Sequence, residues 1–578
     1  EPLWSRGLGD VYKRQMKNKI IIMAVSATLF GSISCNDFLD VNVNPDKVDA
    51  NFVTPNYAFP GAVTGSYAIQ ARNLNAFASL QMNSLAGNSY KFGTPFIDDY
   101  TPNITTGYNA TIWDTLFRNV TNFQKIIDYN DPSGTYANYK AMSLVMKAYY
   151  VQILTDLYGD IPYSDAFKRE LNVFPKYDKG EDIYKASIAE LEQAIQIINS
   201  GAGSAPSSSD VVFGGVMTDW VAFANTIKLR YLLRMSNVTG DLATYRDQKL
   251  AGLSGASFSS SDVTVNPGYS SSSDSQQNPW ANYWIVLSSG ARPTTGNQGY
   301  TLYTVSEHMA IALNGNKVHL PLKATTQDSR DVYQKFNGIT DGRRGRMFTL
   351  VSTTDDVGVT TSNVEGVRQG ATPGQPGALS TTPARAVSVF GLGAILGNNN
   401  SITSTDVNTA FISAASSKDG VLLSKAETEF LLAEAALRYP ANFTNAQGHF
   451  EDGIRASYNY FGVTPVSSDP NTDPSIYISK INSVPKLGWT GSNDNKIEAI
   501  MTQKWIALTT VNPEQSFFDY TRTGYPVTPM SSISPAGQVK PKRLMYPTSE
   551  YSSNSNNVPS MTAADVFAKN KFTPFWAR

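Results

Sequence analysis

Apolar residues recur every three or four positions in several stretches of this chain, and they predict helices. Met142, Met146, Tyr149 and Ile153 fall on one helical face, and the run ends at DLYGDIPYSDA, where Gly159 and Pro162 stop it. Tyr184, Ile188, Leu191, Ile195 and Ile198 follow a 4-3-4-3 spacing, an amphipathic helix. Trp220, Phe223, Ile227 and Tyr231 mark another that is apolar nearly all round and so predicted to be buried. Towards the C-terminus the pattern returns in Leu423, Ala426, Phe430, Ala433 and Leu437, then in Phe450, Ile454, Tyr458 and Phe461, then in Ile497, Met501, Trp505 and Leu508. Ala433 and Ala436 supply the small residues that let two helices approach closely, as in tetratricopeptide hairpins. Between the two helical halves, residues 240–415 are rich in Ser, Thr, Gly and Pro and read as mostly irregular, with short helices such as 301–314. The expected fold class is all-α, one large domain over 35–578, with the irregular insertion laid across the helices.

The N-terminal pattern differs. From Met16 the sequence MKNKIIIMAVSATLFGSISC places Lys17 and Lys19 ahead of an apolar run, Ile20 to Phe30, and small residues then lead to Cys35. That order is a secretory signal over 16–34, too short for a comfortable membrane span of roughly 20 apolar residues. Cys35 is the only cysteine in 578 residues, so no intrachain disulfide can form. Its place after the signal predicts acylation of the thiol and anchoring of the mature chain by lipid. Residues 1–15 have no signal logic and read as translated sequence upstream of the start. Residues 36–56, NDFLDVNVNPDKVDANFVTPN, read as an extended tether.

Composition narrows the partners. Lys and Arg number 47 against 48 Asp and Glu, with no basic stripe for a nucleic acid. Charged residues are 16% of the chain, while 30 Tyr, 27 Phe and 8 Trp accompany abundant Asn, Ser and Thr, a mixture suited to neutral polar ligands.

Catalytic constellations do not emerge. His308, His319 and His449 are far apart and none has metal-ligand spacing. There is no G-x-S-x-G. GLGAILG (391–397) has glycines but no strand and helix framing them, and the adjacent Asp98 and Asp99 read as a solvated turn rather than a glycosidase pair. No catalytic residue, metal or cofactor is therefore assigned. The candidates for binding are aromatic and polar residues outside the helical pattern. Flat rings cover the C–H faces of sugars, and Asn, Asp and Arg bond the hydroxyls. Trp280, Tyr283, Trp284, Arg292, Asn297 and Tyr300 give that mixture in one loop-rich stretch, and Asn83, Asn88, Tyr90 and Tyr100 give it in another. The competing expectation for any one of these rings is a plug that fixes the irregular region to the helices.

Blocks along the chain resemble the SusD/RagB outer-membrane lipoproteins of Bacteroidetes. They are TDLYGDIPYSDA (155–166), FPKYDKGEDIYKASIAELEQAI (174–195), DWVAFANTIKLRYLLRMS (219–236), GVLLSKAETEFLLAEAALR (420–438), HFEDGIRASYNYFGV (449–463), KIEAIMTQKWIAL (496–508), DYTRTGYPV (519–527) and RLMYPTSEYSSNSNN (543–557). One departure is TTVNPEQSFFDYTRTGYP, where this chain has Phe517, Phe518 and a single Arg522 in place of a Gly-Glu-Ala-Trp-like run and paired arginines; a local change in packing is expected. The resemblance implies about four tetratricopeptide-like hairpins carrying a less regular ligand-bearing region. It also implies a cell-surface position and a nutrient, usually an oligosaccharide, passed to a SusC-like TonB-dependent transporter. A surface-anchored glycan hydrolase and a peptide-binding import receptor of the same fold are the alternative expectations.

Overall fold

The computed structural model describes residues 53–87, 96–168, 172–293, 299–315, 332–354, 358, 360–371 and 386–578. Its longer helices are α1 (Pro55–Ile69), α2 (Ala110–Ile127), α3 (Ala137–Tyr158), α4 (Gly180–Asn199), α5 (Met217–Arg234), α6 (Gly240–Ala251), α7 (Lys425–Arg438), α8 (Ala446–Tyr460), α9 (Asn493–Leu508) and α10 (Pro513–Thr523). Neighbours in sequence pack side by side: α2 on α3, α3 on α4, α4 on α5, and later α7 on α8 and α9 on α10. This is the all-α architecture that the apolar spacing predicts, and residues 55–578 form one compact unit.

Burial follows the sequence pattern. Helix α4 buries Ile183, Tyr184, Ile188 and Leu191 and leaves its other face to solvent. Helix α3 is buried along nearly its whole length, because it lies between α2 and α4 with α1 and α5 also against it. It ends at Gly159, whose φ of +74° is open to glycine at little cost. A Cβ there would stand 2.9 Å from the main-chain oxygen of Phe572, so the turn also needs the missing side chain.

Buried ion pairs join the two helical halves. Arg230 on α5 donates to Gln152 on α3 (2.8 Å) and to Glu427 on α7 (3.3 Å). Arg234 reaches Asp519 on α10 at 3.0 Å and stacks 5.2 Å from the Phe518 ring centroid. Trp220 and Trp505 are core residues, as their places on apolar helical faces predict. Among the described residues no helix is long and apolar enough to cross a membrane.

Two elements differ from the periodic reading. Leu423 does not belong to α7: it ends a strand, Gly420–Leu423, that pairs antiparallel with Val263–Val265. The helix starts only after Ser424, whose hydroxyl accepts from the Glu427 N–H at 3.1 Å. The stretch 301–314 is also not one helix. Tyr303–Val305 is a strand paired antiparallel with Leu85–Gly87, and Ser306 then caps a helix over Glu307–Asn314. Aromatic and β-branched residues in a row suit the pleated conformation, and here a partner strand is on hand. The middle region also holds α6 and a short helix at Thr409–Ser417, so it is less irregular than its composition suggests.

Candidate functional site

The two stretches singled out from the sequence meet. Strand Leu85–Gly87 brings the first against Tyr303–Val305, and ring contacts do the rest. Phe96 lies 5.9 Å from Tyr100 and 5.1 Å from Tyr303, and Tyr303 lies 5.0 Å from Trp284, which touches Tyr283 at 5.1 Å. A continuous chain of rings thus runs from Tyr100 to Tyr283. Gly87, against the Phe96 ring, and Gly299, against the Trp284 indole, belong to the same junction.

Several candidate residues are built into this junction rather than presented on it. Trp284 is fully buried, packs edge-on to Tyr303 and Phe390, and donates its indole N–H to the Ala71 carbonyl at 2.8 Å. Trp280 is only 5% exposed and packs against Phe390. Asn278 caps the short helix Pro279–Trp284, accepting from the Trp280 N–H at 2.7 Å, and this turns both tryptophans inward. Both therefore act as plugs, the alternative expectation for a ring in this stretch. Tyr100 is buried, its hydroxyl oxygen accepting from the Gly87 N–H at 2.6 Å. Asn83 is buried with φ of +51°, donates to the Pro529 carbonyl and accepts from Ser306, so it shapes a turn. Asn88, Tyr90, Asn297 and Cys35 lie outside the described residues.

Tyr283, Arg292 and Tyr300 remain half-buried. The Arg292 guanidinium lies 4.1 Å from the Tyr300 ring centroid and donates to the carbonyls of Ile285 (3.1 Å) and Thr405 (2.8 Å). Those bonds hold the stack in place, and five N–H donors per guanidinium leave others for a ligand. Burial lowers the Arg292 pKa from its ordinary value without removing its charge. Burial also pushes the Tyr283 hydroxyl up to about 12, so it stays protonated at neutral pH.

The sequence reading missed one member of this surface. Arg72 donates to the Pro279 carbonyl at 3.1 Å and to the Asn282 side-chain oxygen at 3.2 Å, and its charge is felt by Tyr283 and Tyr269. It sits on a wide helical turn, Gln70–Leu74, that continues α1, a geometry frequent at functional sites. Its signal was a single cation in the otherwise neutral run AIQARNLNAF.

The adjacent aspartates and the described histidines make contacts of their own. Asp99 accepts from the Tyr108 hydroxyl at 2.6 Å, and burial raises its carboxyl to about 6 despite that bond; Asp98 accepts from Asn103. His308 is buried between the rings of Tyr333 and Trp505, and His449 pairs with Glu429 at 2.8 Å. Among the described residues no three His, Cys, Asp or Glu side chains gather as metal ligands.

Residues 64–547 match the SusD-like family described as starch-binding and associating with the outer membrane, and the chain belongs to that family. The fold recurs in solved structures. One is a chitin-binding SusD homologue from Flavobacterium johnsoniae, 22% identical, covering 90% of this chain and 96% of its own with a TM-score of 0.60. A SusD homologue from Bacteroides uniformis is 21% identical, with coverage of 90% and 99% and a TM-score of 0.60. A SusD/RagB family protein from Bacteroides thetaiotaomicron is 17% identical, with coverage of 91% and 99% and a TM-score of 0.61. A search of curated proteins finds no match.

Proposed function

We propose that this protein is a cell-surface glycan-binding lipoprotein, anchored through Cys35, that holds an oligosaccharide at the Tyr283–Tyr300 surface and hands it to a SusC-like TonB-dependent transporter without cleaving it. The observation that carries this reading is the convergence of two half-buried tyrosines with Arg72, Asn282 and Arg292 on a ring-packed base. Rings supply stacking faces, and the arginines and the amide supply directional bonds to hydroxyls. Family membership supports the ligand class and the outer-membrane setting, and a solved relative named for chitin binding supports glycan over peptide.

Tyr283→Ala and Tyr300→Ala test the placement. A stacked ring contributes on the order of 1 kcal/mol beyond its buried area, and about 1.4 kcal/mol is a factor of ten in affinity. Calorimetric titration with starch- and chitin-derived oligosaccharides should show each variant weakened several-fold to roughly tenfold. Wild-type affinity in both variants would remove the site from this surface.

A further inference from the structure

Trp280 has a second neighbour that plays no part in the ring junction. The Lys418 ammonium lies 5.2 Å from its ring centroid and 5.3 Å from that of Tyr460. Three N–H groups are available on an ammonium, yet among the described residues Lys418 makes one hydrogen bond, 3.0 Å to the Ala394 carbonyl, and no ion pair. Among the described residues the Trp280 indole N–H has no partner, although the residue is 95% buried. Burying an N–H without a partner costs free energy, so these donors call for an acceptor. Trp280 and Lys418 line a small inner chamber of about 10 Å³, which shares the walls Lys418, Asp419, Val421 and Tyr460 with a cavity of about 340 Å³. The cavity's remaining walls mix polar residues, Asp262, Thr264, Asn398, Asn399 and Ser417, with Leu396, Gly397 and Ala414.

The charges select the ligand. Donors sit at the inner end, and the carboxylates of Asp262 and Asp419 line the larger cavity. An anion would bring a third negative charge beside them, and a cation would meet the Lys418 ammonium. A hydroxyl both accepts and donates, so a neutral polyol satisfies both ends, and the Tyr460 ring can cover a C–H face. A cavity of about 340 Å³ holds roughly eleven waters at about 30 Å³ each, room enough for one sugar residue. We propose that this cavity is a second site, separate from the Tyr283–Tyr300 surface, that takes one neutral sugar residue with its hydroxyls between Lys418 and the two aspartates. It uses neither Tyr283, Tyr300 nor Arg292, so the two sites can fail independently.

Acylation of Lys418 reports on occupancy. Burial, only partly opposed by Asp262 and Asp419, lowers its ammonium to about 8, so free amine is present at mild pH. The purified protein is treated with trace acetic anhydride alone or with methyl glucoside, methyl galactoside, methyl mannoside, N-acetylglucosamine, glucuronate or glucosamine, and Lys418 is followed by peptide mass spectrometry. At about four times its dissociation constant a ligand slows the reaction about fivefold, the factor 1 + [L]/Kd. At least one neutral sugar should do so while other lysines react unchanged. The protection should persist in the Tyr283→Ala, Tyr300→Ala double variant and be lost in Asp262→Asn, Asp419→Asn, whose unperturbed melting curve confirms its fold. If no neutral sugar of the panel protects Lys418, or glucuronate or glucosamine protects it better, the proposal is wrong. Loss of protection in the tyrosine variant would assign the shielding to the first site and overturn it equally.

Discussion

Trp284→Ala should cost about 3–5 kcal/mol of stability, the range for truncating a buried aromatic ring, and lower the thermal midpoint sharply. Trp284 is fully buried, three rings close on it, and its N–H bond to Ala71 ties the middle region to the wide turn that follows α1. Gly299 packs so closely that a Cβ there would stand 2.1 Å from the indole, so the surrounding chain has been fitted to this one side chain. Truncation leaves a cavity and a carbonyl without its donor. Any loss of ligand affinity should come with the loss of fold, as Tyr283 and Tyr300 lose their base. A melting curve beside a titration separates the cases: an unchanged midpoint with affinity selectively lost would return Trp284 to the ligand surface.

Arg522→Met should be comparably severe. Arg522 makes a bidentate pair with Glu434 at 2.5 and 2.8 Å and also donates to Asp519 at 3.3 Å, all three side chains being nearly inaccessible. It joins α10 to α7 and, through the Leu233 carbonyl and Ser236, to the end of α5. Removing one partner of such a buried pair costs about 3–5 kcal/mol, because the other charge is left without compensation. Arg522→Lys should recover only part, since an ammonium cannot reproduce the planar fork. The pH dependence follows from Glu434. Burial alone would raise its carboxyl, but Arg522 and Arg438 outweigh burial and hold it below the usual range of 4.5. A depressed carboxyl contributes its full stability above the unfolded value and loses it as pH falls. The gap between wild type and Arg522→Met should therefore narrow as pH falls below about 4.5, which denaturant titrations at pH 7 and pH 4 can read. Equal stability at pH 7 would show the pair to be dispensable.

Arg522 also explains the departure from the family pattern. In place of a Gly-Glu-Ala-Trp-like run and paired arginines, Phe517 and Phe518 are fully buried, Arg234 stacks on Phe518, and the one arginine spans two carboxylates. The packing is local and the fold is kept.

Helices with a one-sided apolar stripe, such as α4 and α8, were legible because 3-4 spacing encodes a face independently of what covers it. The strands Gly420–Leu423 and Tyr303–Val305 were not, because each is fixed by a partner more than a hundred residues away. The same distance hid the fate of the tryptophans. A plug and a stacking ring look alike in an aperiodic segment, and only the arrival of Ala71, Tyr303 and Phe390 around Trp284 decides between them. Tyr283 and Tyr300 kept their surface because the two tryptophans took the inward positions of the short helix beside them. Arg72 was invisible for the converse reason: it lies in a helical run, and the residues it serves, Pro279 and Asn282, are over two hundred positions on.

The central claim, a binder of glycans that leaves them intact, is tested most directly by calorimetric titration of the purified protein with starch-derived and chitin-derived oligosaccharides and with peptides, followed by assay of the same mixtures for new reducing ends after a day. The account predicts saturable binding of a glycan, no binding of peptides and an unchanged count of reducing ends. Binding of peptides alone, or reducing ends that accumulate in proportion to protein, would contradict it.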